Sequence, residues 1–174
     1  MSLQEDVISI DYLKRTLRFY ENIDIASQLM GPTDDAPYTS LIIRFTEIGE
    51  REATIDLEMS FLPGLQELNQ EGVYLFQSFA VLAPQTSKEH EDELLKAISI
   101  LNIQLPLGTF GVFPDGGALY LKQTAMLSRE GLVSGHAVKL LDQQNGVLLH
   151  QLHQFTDYLL DVSAGKRKAE STPL

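Results

Sequence analysis

His150, His153 and Asp157 stand three and four residues apart near the C-terminal end of the chain. On a helix this spacing puts all three side chains on one face. Two imidazoles and a carboxylate can hold zinc and leave one position open for water or substrate. Gln154 and Asp161 lie nearby, so a solvated helix face has the same composition. The acidic run Glu89–Glu93 could attract a cation. It lacks the glycine-containing loop and ligand alternation of a calcium hand, and a wet helix start accounts for it. Ser134 and His136 are neighbours, but a serine nucleophile needs a base with its own orienting acid, and no nucleophile elbow surrounds them. Gly108, Gly111, Gly116 and Gly117 open no helix in the dinucleotide pattern and form no phosphate loop, so turn geometry explains them. Lys166-Arg167-Lys168 has no interleaved aromatics and reads as a solubilising tail. The residues therefore imply no cofactor and no catalytic group, and the expectation is a protein that is not an enzyme. The alternative is a small-ligand or metal-binding enzyme built on the His150/His153/Asp157 face.

Composition narrows the partners. The chain has 174 residues, 44% of them hydrophobic and 21% charged, which is the make-up of a globular protein. Against 13 Lys and Arg stand 24 Asp and Glu, a net charge of −11. A field of that sign repels phosphate backbones and anionic lipid, so neither nucleic acid nor a membrane is an expected partner. There is no cysteine. That removes disulfides, thiolate nucleophiles, iron–sulfur clusters and cysteine zinc sites together. Met1 to Asp6 has neither the basic start nor the apolar run of a signal peptide, and no stretch approaches the ~18 apolar residues of a membrane span. A cytoplasmic location is the expectation.

The elements that position these residues follow from periodicity. Ile10, Leu13, Leu17 and Tyr20 recur at helical spacing over Ser9–Tyr20, with Ser9 as N-cap and Tyr12 and Phe19 beside the stripe. Gly31 to Pro37 is a loop. Thr39–Phe45 and Ala53–Phe61 alternate with period two and read as a hairpin around Gly49. Val73–Ala83 is apolar on both alternating sets, so it is covered on both faces or presents one to a partner. Thr86 and Glu89 have capping-box spacing ahead of a helix over 87–102. Thr109–Phe113 and Ala118–Met126 are strands around a Pro-Asp-Gly-Gly turn. Leu141, Leu148, Leu152, Phe155, Leu159 and Val162 fall within an arc of roughly 80° at helical spacing, which predicts a long last helix, interrupted near Gln144 to Gly146. The order α-β-β-β-α-β-β-α predicts an α+β fold, an antiparallel sheet of about five strands with helices packed on one side. A single domain over 1–165 and a flexible polar tail over 166–174 complete the expectation.

The segment Asn102-Ile103-Gln104-Leu105-Pro106-Leu107-Gly108-Thr109-Phe110 resembles the type III secretion chaperone-like fold, in its YbjN-type bacterial branch. So do the Pro114-Asp115-Gly116-Gly117 turn followed by Leu119-Tyr120-Leu121, and the closing amphipathic helix with Asp157. The resemblance spans about residues 7–163, and the loops at 24–38 and 62–72 depart from it. It implies a small acidic chaperone-like protein, a homodimer, that holds an extended client segment against apolar surface. The residues add a physical argument. The Val73–Leu82 strand and the first helix carry more apolar side chains than a one-sided core needs, which nominates Tyr12, Phe19, Tyr74 and Phe76 as partner-binding residues.

Overall fold

The computed structural model describes residues 6–170. It has an α+β fold with five α-helices and one antiparallel sheet of six strands. In chain order the elements begin with α1 (Val7–Glu21), β1 (Ser27–Met30), β2 (Ser40–Ile48), β3 (Ala53–Phe61), α2 (Gln66–Gln70) and β4 (Val73–Ala83). A single 3-10 turn (Lys88–His90) then leads into α3 (Glu91–Asn102), followed by β5 (Thr109–Val112), β6 (Leu119–Ser128), α4 (Arg129–Val133) and α5 (Ala137–Ser163). The strand order is β1-β2-β3-β4-β6-β5. β2 to β6 are the strands that periodicity predicts. β1 is a further edge strand, pairing antiparallel with β2 so that Ser27 lies opposite Ile43 and Met30 opposite Ser40. Its four residues are too few for an alternation to be read. The short helices α2 and α4 fall in segments where no helix is predicted.

The chain gathers into two compact units, each made from three stretches. The first comprises the chain up to Phe45 together with 56–78 and 124–145; the second comprises 46–55, 79–123 and the chain from Gly146 onward.

In the first unit, α1 sets the packing. Its buried residues are Ser9, Tyr12, Leu13, Thr16 and Tyr20. The buried stripe is thus turned toward Tyr12 relative to the predicted Ile10–Leu13–Leu17–Tyr20 line. The cause is aromatic volume. The Tyr12 ring meets Phe61 and Phe76 edge-on at 5.9 and 5.6 Å, and Phe61 meets Phe76 and Tyr74 at 5.0 and 6.0 Å. Thr16 can turn inward because its hydroxyl donates to the Tyr12 carbonyl at 2.9 Å. Ser9 is not the cap. The helix begins two residues earlier, after the extended Asp6. Farther along, Asn145 is buried on α5 and its Nδ2 donates to the Tyr20 hydroxyl at 3.0 Å and to Met59 Sδ at 3.3 Å. These bonds pin the helix where an interruption is predicted, and α5 runs unbroken through the exposed Gly146.

In the second unit, polar side chains from α3 and α5 bind backbone groups of the loops. The Asn102 amide donates to the Phe110 carbonyl at 3.0 Å and accepts from the Phe110 N–H at 2.9 Å. It occupies the outer edge of β5 as a neighbouring strand would, which blunts that edge against further pairing. The Phe110 ring then packs edge-on against Phe155 of α5 at 6.2 Å. The expected Thr86–Glu89 capping box does not form. Thr86 Oγ1 donates instead to the Gly117 carbonyl at 2.9 Å, and Glu91 accepts from the Gly116 N–H at 3.0 Å. The first described residues of the expected flexible tail are also held. The Ala169 N–H donates to Glu93 at 2.6 Å, Glu170 N–H donates to the Tyr158 hydroxyl at 3.0 Å, and the Arg167 guanidinium lies 4.8 Å from the Tyr158 ring centre. Residues 171–174 of that tail, like Met1–Glu5, lie outside the described residues.

Asn102→Ala leaves a backbone donor and acceptor of β5 unpaired. It is expected to cost about 1–3 kcal/mol in urea denaturation and to speed amide exchange at Phe110.

Candidate functional site

An apolar recess lies in the first unit, where α4 and the start of α5 close over the aromatic residues of α1 and β4. Tyr12 and Phe76 form its floor. Ala125 and Leu127 of β6, Leu132 of α4, and Leu140, Leu141 and Gln144 of α5 form its walls, and it encloses about 430 Å³ including its mouth. Apolar residues surround it because β6 turns directly into α4. Ser128 Oγ accepts from the Gly131 N–H at 3.0 Å, the N-cap that lets so short a helix begin there. Arg15 of α1 then ties α4 down from its other end. Its guanidinium donates to the Leu132 carbonyl and, at 3.4 Å, to the Ser134 carbonyl, while its Nε pairs with Asp11 at 2.9 Å. Arg15 thus braces one wall of the groove, although helical periodicity alone places it on the solvated side of α1.

The groove has one incomplete polar group. Gln144 Nε2 is out of contact with solvent and has no hydrogen-bond acceptor. At the mouth, Leu140 is 66% exposed, and Val133, next to Leu132 on α4, is 59% exposed. Below it, burial pushes the Tyr12 hydroxyl up to about 12, with the Arg15 guanidinium acting in the opposite direction. Tyr12 is therefore a neutral phenol at any ordinary pH, and the floor carries no charge.

The four residues nominated as partner-binding fall differently. Tyr12, Tyr74 and Phe76 are core residues, with 3%, 1% and 1% of their surface exposed. This corrects the expectation that they form an open contact surface: the aromatic cluster of their own chain covers them. Tyr12 and Phe76 still reach the groove as its floor. Phe19 is half-exposed and sits edge-on to Tyr20 at 5.3 Å. The β4 strand does show one face more open than the other. Tyr74, Phe76, Ser78 and Ala80 are buried, whereas Val73, Leu75 and Phe79 are half-exposed and Val81 is exposed. In the second unit, Phe79 stacks on Tyr120 at 5.0 Å, and Tyr120 leans on the exposed Phe113 at 4.9 Å.

The β2–β3 turn takes two acceptors of the His150/His153/Asp157 face. The Gly49 N–H donates to His153 Nδ1 at 3.1 Å, and the Glu50 N–H donates to Asp157 at 2.6 Å. Arg51 lies 3.6 Å from Asp157 and pairs with Asp161. His150 is exposed, and no group of three metal-binding side chains converges among the described residues. The cluster works as a clasp that docks a hairpin on a helix. Among the described residues, no helix is long and apolar enough to cross a membrane.

Gly49 has a φ of +71°, and a Cβ there would run into the Asp157 carboxylate. Gly49→Ala should therefore destabilise the protein by at least about 1–2 kcal/mol from its backbone conformation alone. Asp157→Ala also removes the Glu50 bond, so thermal melts of both single variants and the double variant form a cycle that isolates the clash between the new Cβ and the carboxylate. A scan of protein-family models finds no match to this chain, and a search of curated proteins finds no similar sequence.

Proposed function

We propose that the chain is a non-enzymatic protein-binding domain of chaperone-like type, and that the groove between α4 and α5 takes an apolar side chain from an extended client segment. The observation that carries this reading is an apolar recess with Leu140 and Val133 open to solvent at its mouth. A client offers the complementary chemistry, an apolar side chain for the recess. Burying such a side chain contributes about 1.5–3 kcal/mol, which suits a reversible hold on many sequences better than tight recognition of one. The resemblance of the Asn102–Phe110 and Pro114–Gly117 segments to YbjN-type proteins of the secretion-chaperone fold supports the same reading. A second copy of this chain is the competing occupant.

The test uses the full chain and reduced, unfolded lysozyme as the client. The wild-type protein should suppress aggregation of the client. Leu140→Asp, at an exposed position that leaves the core intact, should weaken that effect about tenfold. Light scattering on both proteins completes the experiment. Suppression that is absent, or unchanged by Leu140→Asp, overturns the proposal. A dimer that Leu140→Asp converts to a monomer assigns the groove to self-association and overturns it equally.

A further inference from the structure

A second recess lies in the first unit, where the two loops that depart from the secretion-chaperone pattern meet. Residues 37–39 of one loop and 62–66 of the other close over the N-terminal half of α1, enclosing about 490 Å³ with the open mouth included. The floor is apolar: Ile10 and Leu13 of α1, the Phe61 ring, and Leu62 and Leu65 of the second loop. Both loops are acidic around it. Asp34 and Asp35 precede the lining residues of the first loop, Glu67 and Glu71 follow those of the second, and all four are exposed. Asp6 lines the recess as well. Its Oδ2 is out of solvent. Burial first, and then the Asp6 carboxylate, raise the pKa of the Tyr74 hydroxyl, as burial and then Glu58 of β3 raise that of Tyr38. Arg129 donates from Nη2 to the Asn69 carbonyl at 3.0 Å.

We propose that this cleft docks a basic, apolar segment of a partner protein, with an aliphatic side chain on the Ile10–Leu13–Leu65 floor and flanking Lys or Arg side chains on the acidic loops. An acidic segment would meet like charge on both sides of the cleft, and a purely polar one would leave the floor unfilled. The two requirements together define the partner's chemistry. The inference does not rest on the α4–α5 groove, because the two recesses share no lining residue.

The test measures fluorescence anisotropy of three labelled peptides of equal length on the full chain. One alternates Lys and Leu, one Glu and Leu, one Lys and Ser. The Lys–Leu peptide should bind, and the other two should bind at least about tenfold more weakly. Glu67→Lys/Glu71→Lys should reduce Lys–Leu binding about tenfold, and Leu65→Asp should do the same. Reversing an exposed pair of the second unit that lines neither recess, Glu89→Lys/Asp92→Lys, should change it about twofold or less. Equal losses from the two reversals would show a general field effect and overturn the proposal. So would binding of all three peptides alike, or no binding at all. Loss caused by Leu140→Asp but not by the cleft variants would move the peptide to the other groove and overturn the assignment to this cleft.

Discussion

The packing of four rings governs the first unit. Tyr12, Phe61, Phe76 and Tyr74 meet edge-on in a chain of contacts between 5.0 and 6.0 Å. Each such contact contributes about 0.5–1.5 kcal/mol beyond the area it buries. Their geometry also decides the roll of α1. A ring has fewer ways to fill space than a leucine, so once Tyr12 is seated against Phe61 and Phe76 the rest of the helix must follow. Thr16 and Ser9 turn inward and Ile10 and Leu17 turn partly out. Both recesses result from that choice. Tyr12 and Phe76 floor one, while Phe61, with the residues α1 presents beside it, floors the other.

What could be read before the structure was known divides along physical lines. Strands with one wet face announce themselves, since Thr54, Asp56 and Glu58 interleave with Ile55, Leu57 and Met59. The same is true of the long helix, whose apolar arc survives over several turns. The four partner residues were legible as large and apolar, but residue type does not say which body covers a side chain. Tyr74 and Phe76 could equally belong to a core or to an interface, and only the position of α1 settles it. The groove and the cleft left little trace in periodicity. They depend on where short irregular segments fold back, and α2 and α4 are helices of five residues each. Arg15 was illegible for the same reason: its acceptors are carbonyls more than a hundred residues away.

The residues that looked chemical have a common explanation. His153, Asp157, Glu91 and Glu93 all accept from backbone N–H groups of turns or of the segment after α5. Loop amides have no ladder to satisfy them, and an unpaired buried amide is costly. Helices α3 and α5 therefore carry acceptors at the positions where loops approach. Such acceptors are carboxylates and imidazoles, the side chains that also bind metals. Spacing on a helix face identifies a row of acceptors without identifying what they accept from. The distinction comes from chain reversal. Gly49, with its positive φ, brings two successive N–H groups to the row formed by His153 and Asp157.

Charge and exposed apolar surface act together in the proposed function. A protein with Leu140 and Val133 open to solvent risks associating with its own copies, and a net charge of −11 opposes that association at long range. The same field favours approach by basic chains. Selectivity then comes from distance dependence. Exposed charges act over about 8 Å at physiological salt, whereas apolar contact requires the groups to touch. A basic client is drawn in by the first effect and retained by the second, and an acidic client with the same apolar residues is turned away before contact. On this reading the excess of acid is part of the recognition mechanism, and adding salt should equalise the capture of basic and acidic clients while leaving the apolar contact itself intact.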